Sequence, residues 1–208
     1  FFFMKRVINN RIRSWVQGFV ALTYFYAKSK NKDFIKQAKI HSDHIQNIIK
    51  SSYYDEIILY GHSAGVIPLT FLLNELDKES LKKIKIITSG QCLSSYINVP
   101  HFLKLKKRIV YLMKNNSLNW MDLYSPVDGV SSRLDNDAEL KSIGLSSHNA
   151  QFYKMYSKEE YSKIKLNHLR HHFHYIICGD KPINILNFYY LLTHNKPIDS
   201  YERYNEKN

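Results

Sequence analysis

The sequence predicts an α/β fold, a mostly parallel central sheet with helices on both faces, in a single domain over residues 1–208. Three observations carry this expectation. Residues 56–60, 84–88 and 118–124 are short apolar runs that read as buried strands. Longer segments with helical apolar spacing separate them, and that order demands parallel pairing through crossovers. One connection, Gly61-His62-Ser63-Ala64-Gly65, is a G-x-S-x-G motif placed between a strand and a helix.

The bulk properties suit one well-buried domain. Hydrophobic residues make up 44% of the 208 and charged residues 23%, as in ordinary globular proteins. The charge balance is unusual: 30 Lys and Arg stand against 18 Asp and Glu, a net +12. Such a surface favours anionic partners (membrane headgroups, acidic substrates or nucleic acid), unless it is a compositional bias on a solvated exterior. Nucleic acid is the least expected, because no helix-turn-helix, zinc-finger or RRM signature occurs. The two cysteines, Cys92 and Cys178, sit in apolar surroundings and suit a reducing, cytoplasmic setting. Peripheral contact with an anionic membrane is compatible with it. No window reaches the roughly 18–20 apolar residues of a membrane span. Trp15 to Ala27 comes nearest and is interrupted by Gln17, Gly18 and Thr23. The chain opens at Phe1 without Met, which raises the expectation of an N-terminal truncation.

Taken in order, residues 5–13 read as a basic arm and 14–28 as an apolar, aromatic helix or helix–strand pair. Residues 33–50 place Phe34, Ile35, Ala38, Ile45, Ile48 and Ile49 at helical intervals. On that helix His41 and His44 lack a third metal ligand and are expected at the surface. Apolar side chains at 66, 69, 72, 73 and 76 predict the helix after the motif. A polar turn at 77–80 leads to the second strand, residues 102–116 read as helical, and the third strand ends in Ser125-Pro126-Val127-Asp128-Gly129. Ser157-Lys158-Glu159-Glu160 fits a capping box opening one helix toward Cys178-Gly179. The tail at 201–208 is expected to be disordered.

The motif is where chemistry is expected. Ser63 would sit on a sharp, strained turn between strand and helix, and a β-carbon at 61 or 65 would collide with neighbours. Its hydroxyl would then stand at a helix N-terminus, with the backbone N–H of Ala64 facing a developing oxyanion. Here the chain resembles the α/β-hydrolase superfamily, the lipase- and esterase-like serine hydrolases. The likeness extends to Trp120-x-Asp122-x-Tyr124-Ser125-Pro126-x-Asp128-x-Val130, which is similar to a segment of bacterial lipase-like members. The resemblance implies a nucleophile–acid–histidine order, with Asp128 at the acid position and Asp122, inside the strand, as the alternative.

The downstream histidines are His148, His168, His171, His172, His174 and His194. On a continuous helix His168, His171, His172 and Tyr175 share one face, so periodicity does not choose among them. The segment His172-Phe173-His174-Tyr175-Ile176 resembles an H-F-Q-Y-L run near the end of the same lipase-like proteins, with His174 in place of Gln. That resemblance makes His172 the general base. His168 and His172 also have zinc spacing, but no carboxylate or cysteine accompanies them, so neither metal nor cofactor is expected. One part of the pattern is missing. Before Gly61 the only glycine is Gly18, so no glycine-rich oxyanion loop precedes the motif. Two functions follow: a serine hydrolase cleaving a carboxylic ester, a lipid ester among the candidates, with acyl transfer using the same residues; or a hydrolase-like fold without catalysis that offers a basic surface to membranes or partners.

Overall fold

The computed structural model describes residues 32–181 other than 96, 117 and 166, together with 21, 188 and 189. Apart from Ala21, the expected basic arm, the apolar segment after it and the C-terminal tail lie outside the described residues.

The described chain is an α/β structure built on one four-stranded sheet. Helix α1 (Lys32–Ser51) leads to β1 (Ile57–His62), and a 3-10 turn at Ser63–Gly65 opens α2 (Val66–Glu75). Next come α3 (Lys78–Lys82), β2 (Ile84–Ser89), α4 (Leu103–Asn116) and β3 (Asn119–Tyr124). Finally α5 (Ala138–Ser142) precedes β4 (Ser146–Asn149), α6 (Lys158–Ile164) and α7 (His168–His171). The strands run in the order β1-β2-β3-β4, every neighbouring pair parallel. Every connection that leaves a strand therefore leaves from the same edge of the sheet.

Side-chain alternation sorts the core into two layers. Ile57 and Leu59 of β1, Ile84 and Ile86 of β2, and Trp120 of β3 face the layer that holds Val66, Leu69 and Leu73 of α2 and Leu105, Ile109 and Leu112 of α4. Ile58, Tyr60, Ile87, Met121 and Leu123 face the opposite layer, with Phe152, Met155, Ile164 and Tyr175. Helix α1 lies on the first layer, burying Ala38 and Ile49 and anchoring through Ser42, whose hydroxyl donates to the Glu75 carbonyl at 3.0 Å. His41 and His44 are exposed, as expected.

Three departures from the expected elements have physical causes. β1 continues through Gly61 and His62, so the first half of the motif is strand. β4, Ser-Ser-His-Asn, carries no apolar periodicity; it lies at the edge and earns its place through a polar network described below. The single helix expected after Ser157 is broken. Ser157 does cap α6, accepting from the Glu160 amide at 3.3 Å. Asn167 then caps a new helix, its Oδ1 accepting from the Arg170 amide at 2.9 Å, and α7 ends after one turn before a 3-10 turn at His174–Ile176. The helical face shared by His168, His171, His172 and Tyr175 is therefore not formed.

Candidate active site

Ser63 has φ +55°, the left-handed region that non-glycine residues seldom occupy. The strained residue stands at the junction of β1 and α2, at the edge from which ligands approach parallel sheets. Gly61 makes the close packing there possible, since a β-carbon would lie 2.9 Å from Leu69 Cδ2 and 3.4 Å from the Val66 Cα. Gly65 does not behave as expected. It has helical φ and ψ of −62° and −16°, and a β-carbon there meets nothing within 4 Å. The turn is tight on its strand side and open on its helix side.

The acid comes from the turn after β3. Asp128 N–H donates to the Ser125 carbonyl at 3.1 Å, closing a turn with Pro126 at its second position. Val130 N–H donates to Asp128 Oδ1 at 2.9 Å. Asp128 Oδ2 lies 3.0 Å from His172 Nδ1, and His172 Nε2 lies 2.8 Å from Ser63 Oγ. An ionised carboxylate only accepts, so Nδ1 carries the proton and Nε2 accepts the Ser63 O–H. Both Asp128 and His172 are buried. Burial pushes the Asp128 carboxyl up, but the His172 hydrogen bond and charge, the Val130 amide and Ser131 outweigh it and hold the group below the ordinary carboxylate value.

Three residues named from the sequence, Ser63, Asp128 and His172, thus form one hydrogen-bonded chain, and Ala64 follows Ser63 in the turn that opens α2. The other histidines stand elsewhere. His171 Nε2 bonds the Lys165 carbonyl at 3.1 Å, with its ring stacked on Phe152. His174 Nδ1 and the Tyr156 hydroxyl hydrogen-bond at 2.6 Å, and burial pushes the imidazole pKa down to about 4. His148 bonds Ser146 on β4. His194 is outside the described residues. Among the described residues no group of three or more His, Cys, Asp or Glu side chains is placed to hold a metal.

Asp122 does not reach the histidine. It is wholly buried and accepts from Thr88 Oγ1 (2.8 Å), Ser147 Oγ (2.6 Å), Gln91 Nε2 (3.3 Å) and the Leu134 amide (3.3 Å). Burial pushes it up to about 6 against these four donors. Gln91 also pairs both ways with Ser132, through its carbonyl (2.7 Å) and its side-chain amide (2.5 Å). This network ties β2, β3 and β4 to the downstream end of the loop that carries Asp128.

The sequence reading did not single out His62. Its ring lies 5.0 Å from that of His172 and 5.8 Å from that of Tyr175. Nδ1 bonds Ser89 Oγ at 3.1 Å, and Ser89 Oγ in turn bonds the Tyr60 hydroxyl. Burial, then the neighbouring His172 charge, push His62 down to about 4, and burial pushes Tyr60 up to about 12. Gly90, at φ +58°, leaves the space these rings fill: a β-carbon there would lie 2.8 Å from Tyr175 and 3.1 Å from His62. The register pairing His62 with Ser89 creates the contact, and no local sequence signal encodes that register.

The fold and site together define a parallel α/β protein with a serine–histidine–aspartate chain at the C-terminal edge of its sheet. No family model, curated protein or solved structure matches the chain.

Proposed function

We propose that this protein is a serine hydrolase of the α/β-hydrolase type that cleaves a carboxylic ester through an acyl-enzyme. The observation that carries the reading is the unbroken chain from Ser63 Oγ through His172 to Asp128, at 2.8 and 3.0 Å. Ser63 Oγ attacks the ester carbonyl carbon while His172 Nε2 takes the hydroxyl proton. Asp128, buried and ionised, keeps the Nδ1 proton in place and balances the imidazolium. The tetrahedral oxyanion would face the Ala64 N–H at the start of the turn into α2. Collapse breaks the bond to the leaving alcohol, which receives the proton from His172. Water, or another hydroxyl acceptor in acyl transfer, then attacks the acyl-enzyme with His172 again as base, and the free Ser63 returns.

The strained backbone at Ser63 supports this reading, because such conformations concentrate where geometry serves chemistry. Turnover of short-chain nitrophenyl esters by the purified chain, compared with Ser63→Ala, tests it. Hydrolysis should fall to background in the variant while the far-UV spectrum stays unchanged. Equal hydrolysis by both, above background, would end the serine mechanism, and no turnover by the wild-type chain would favour the non-catalytic alternative.

A further inference from the structure

We infer that the edge of the sheet around Ser63 docks onto a lipid bilayer that carries anionic headgroups. The parallel topology sends every strand exit to this edge, and large apolar side chains stand exposed on those exits. Val99 and Leu103, at the entrance to α4, are 44% and 41% exposed. Tyr153, just beyond β4, is 54% exposed; Phe173 and Ile177, flanking the histidine segment, are 40% and 39% exposed. Phe173 is beside the site, its ring 5.6 Å from that of His172 and 6.3 Å from that of His62.

Basic residues accompany these side chains. Lys104 and Lys107 follow Leu103 along the outer side of α4, Lys154 follows Tyr153, and Arg170 precedes Phe173; all four are exposed. None of them takes part in an ion pair among the described residues. Two of the acids on the same exits are already engaged. Asp135 pairs with Arg133 at 2.7 Å and Asp137 with Lys106 at 2.8 Å, which leaves Asp180, held by the Ser157 amide at 2.8 Å, as one negative charge against the four cations. The edge therefore offers uncompensated positive charge interleaved with apolar side chains, on a chain of net +12.

That mixture selects a bilayer over a nucleic acid. Cations draw a protein to an anionic leaflet, and aliphatic and aromatic tips then enter the interfacial zone. Single-stranded nucleic acid is held by basic grooves with aromatic stacking platforms, and the aliphatic Val99, Leu103 and Ile177 offer no such platform. At the opposite edge the exposed Tyr53 and Tyr54 are followed by Asp55 and by Glu56, which pairs with Lys85 at 2.8 Å, and the exposed Lys78 and Lys83 stand there without the aliphatic tips of the site edge. Docking by the site edge would bring an ester held in the bilayer to Ser63; that consequence, unlike the docking itself, rests on the hydrolase reading.

Flotation of the full chain with vesicles tests the docking. One set is phosphatidylcholine alone, and the other carries about one third phosphatidylserine. The chain should float with the anionic vesicles and not with the neutral ones, and high salt should release it. Lys104→Glu with Lys107→Glu should weaken binding by about tenfold or more, given the usual contribution of each cation near a charged leaflet. Leu103→Asp with Ile177→Asp should weaken it comparably, whereas Lys78→Glu with Lys83→Glu, before β2 at the other edge, should leave it within about twofold. Absence of binding, equal binding to neutral vesicles, loss caused equally by the remote pair, or binding that survives both edge variants would each overturn the proposal. Retention on duplex DNA through the same lysines without vesicle binding would also overturn it. Fluorophosphonate labelling of Ser63, run on every variant, separates the two readings: labelling without docking sinks only the bilayer, and docking without labelling sinks only the hydrolase.

Discussion

The elbow at residues 61–65 and the segment at 157–178 supply the two halves of the Ser63–His172 hydrogen bond, yet they are built in opposite ways. The elbow is local. Six residues of strand, one residue with positive φ and the first turn of α2 fix Ser63 with neighbours close in sequence. His172 arrives from 109 residues downstream on a segment of short helices and turns. What holds it is tertiary: Asp128 on Nδ1, the His62 ring beside it, and the buried anchors Tyr156–His174 and Phe152–His171 on either side. On the proposed mechanism, the nucleophile is thus written into a motif, whereas its base is delivered by packing.

The sharpest way to test that division is to remove the delivered half. His172→Ala should lower kcat for ester hydrolysis by roughly 10⁴–10⁶ with little change in KM, as for triad members that act only in the transition state. Asp128→Asn should follow with a loss near 10⁴, because the amide favours the wrong imidazole tautomer. Asp122→Asn probes the same strand with the opposite result. It should leave most of the chemistry intact and show its effect in the melting curve, by about 1–3 kcal/mol, since it disturbs a carboxylate with four donors. Equal kinetic losses at 122 and 128 would erase the distinction between the two carboxylates.

Acid should act on both halves, through His62 in the elbow and His174 in the delivered segment. His62 and His174 are held near 4 in the folded chain, below the ordinary 6.5. As pH falls through 6.5 the unfolded chain binds two protons that the folded histidines refuse, while Asp122, raised to about 6, takes one up in the folded chain and offsets part of the loss, so stability is full above 6.5 and falls on balance between 6.5 and 4. Thermal melts across this window should show a falling Tm, with a shallower slope in His174→Gln. A flat profile would mean that the buried imidazoles do not carry the linkage. The smallest effects belong to the elbow glycines. Gly61→Ala should cost about 1–3 kcal/mol by overpacking against Leu69 and Val66, whereas Gly65→Ala should be near neutral.

The same division sets what was legible in the sequence. Strands β1 to β3, helices α1, α2 and α4, and the elbow all carry local periodicity or motif chemistry, and they appear within one or two residues of expectation. The resemblance marks Asp128, and a local device, the Ser-Pro turn after a strand, agrees with it. His172 was reached by resemblance alone, because its choice over His171 depends on a helix break at Asn167 that apolar spacing conceals. β4 was not expected, since an edge strand held by Ser147 and Asp122 needs no apolar alternation. Gly65 departs from expectation because the motif pairs two glycines, although only Gly61 meets a neighbour. His62 became visible only through the β1–β2 register.

The most direct measurement of the central claim, that His172 and Asp128 activate Ser63, is the rate of fluorophosphonate attachment at Ser63, followed by peptide mass spectrometry. The wild-type chain should carry the label on Ser63 and on no other serine. His172→Ala and Asp128→Asn, folded by circular dichroism, should label at least about a thousandfold more slowly. Label on a different residue, or attachment at an undiminished rate in His172→Ala, would contradict it.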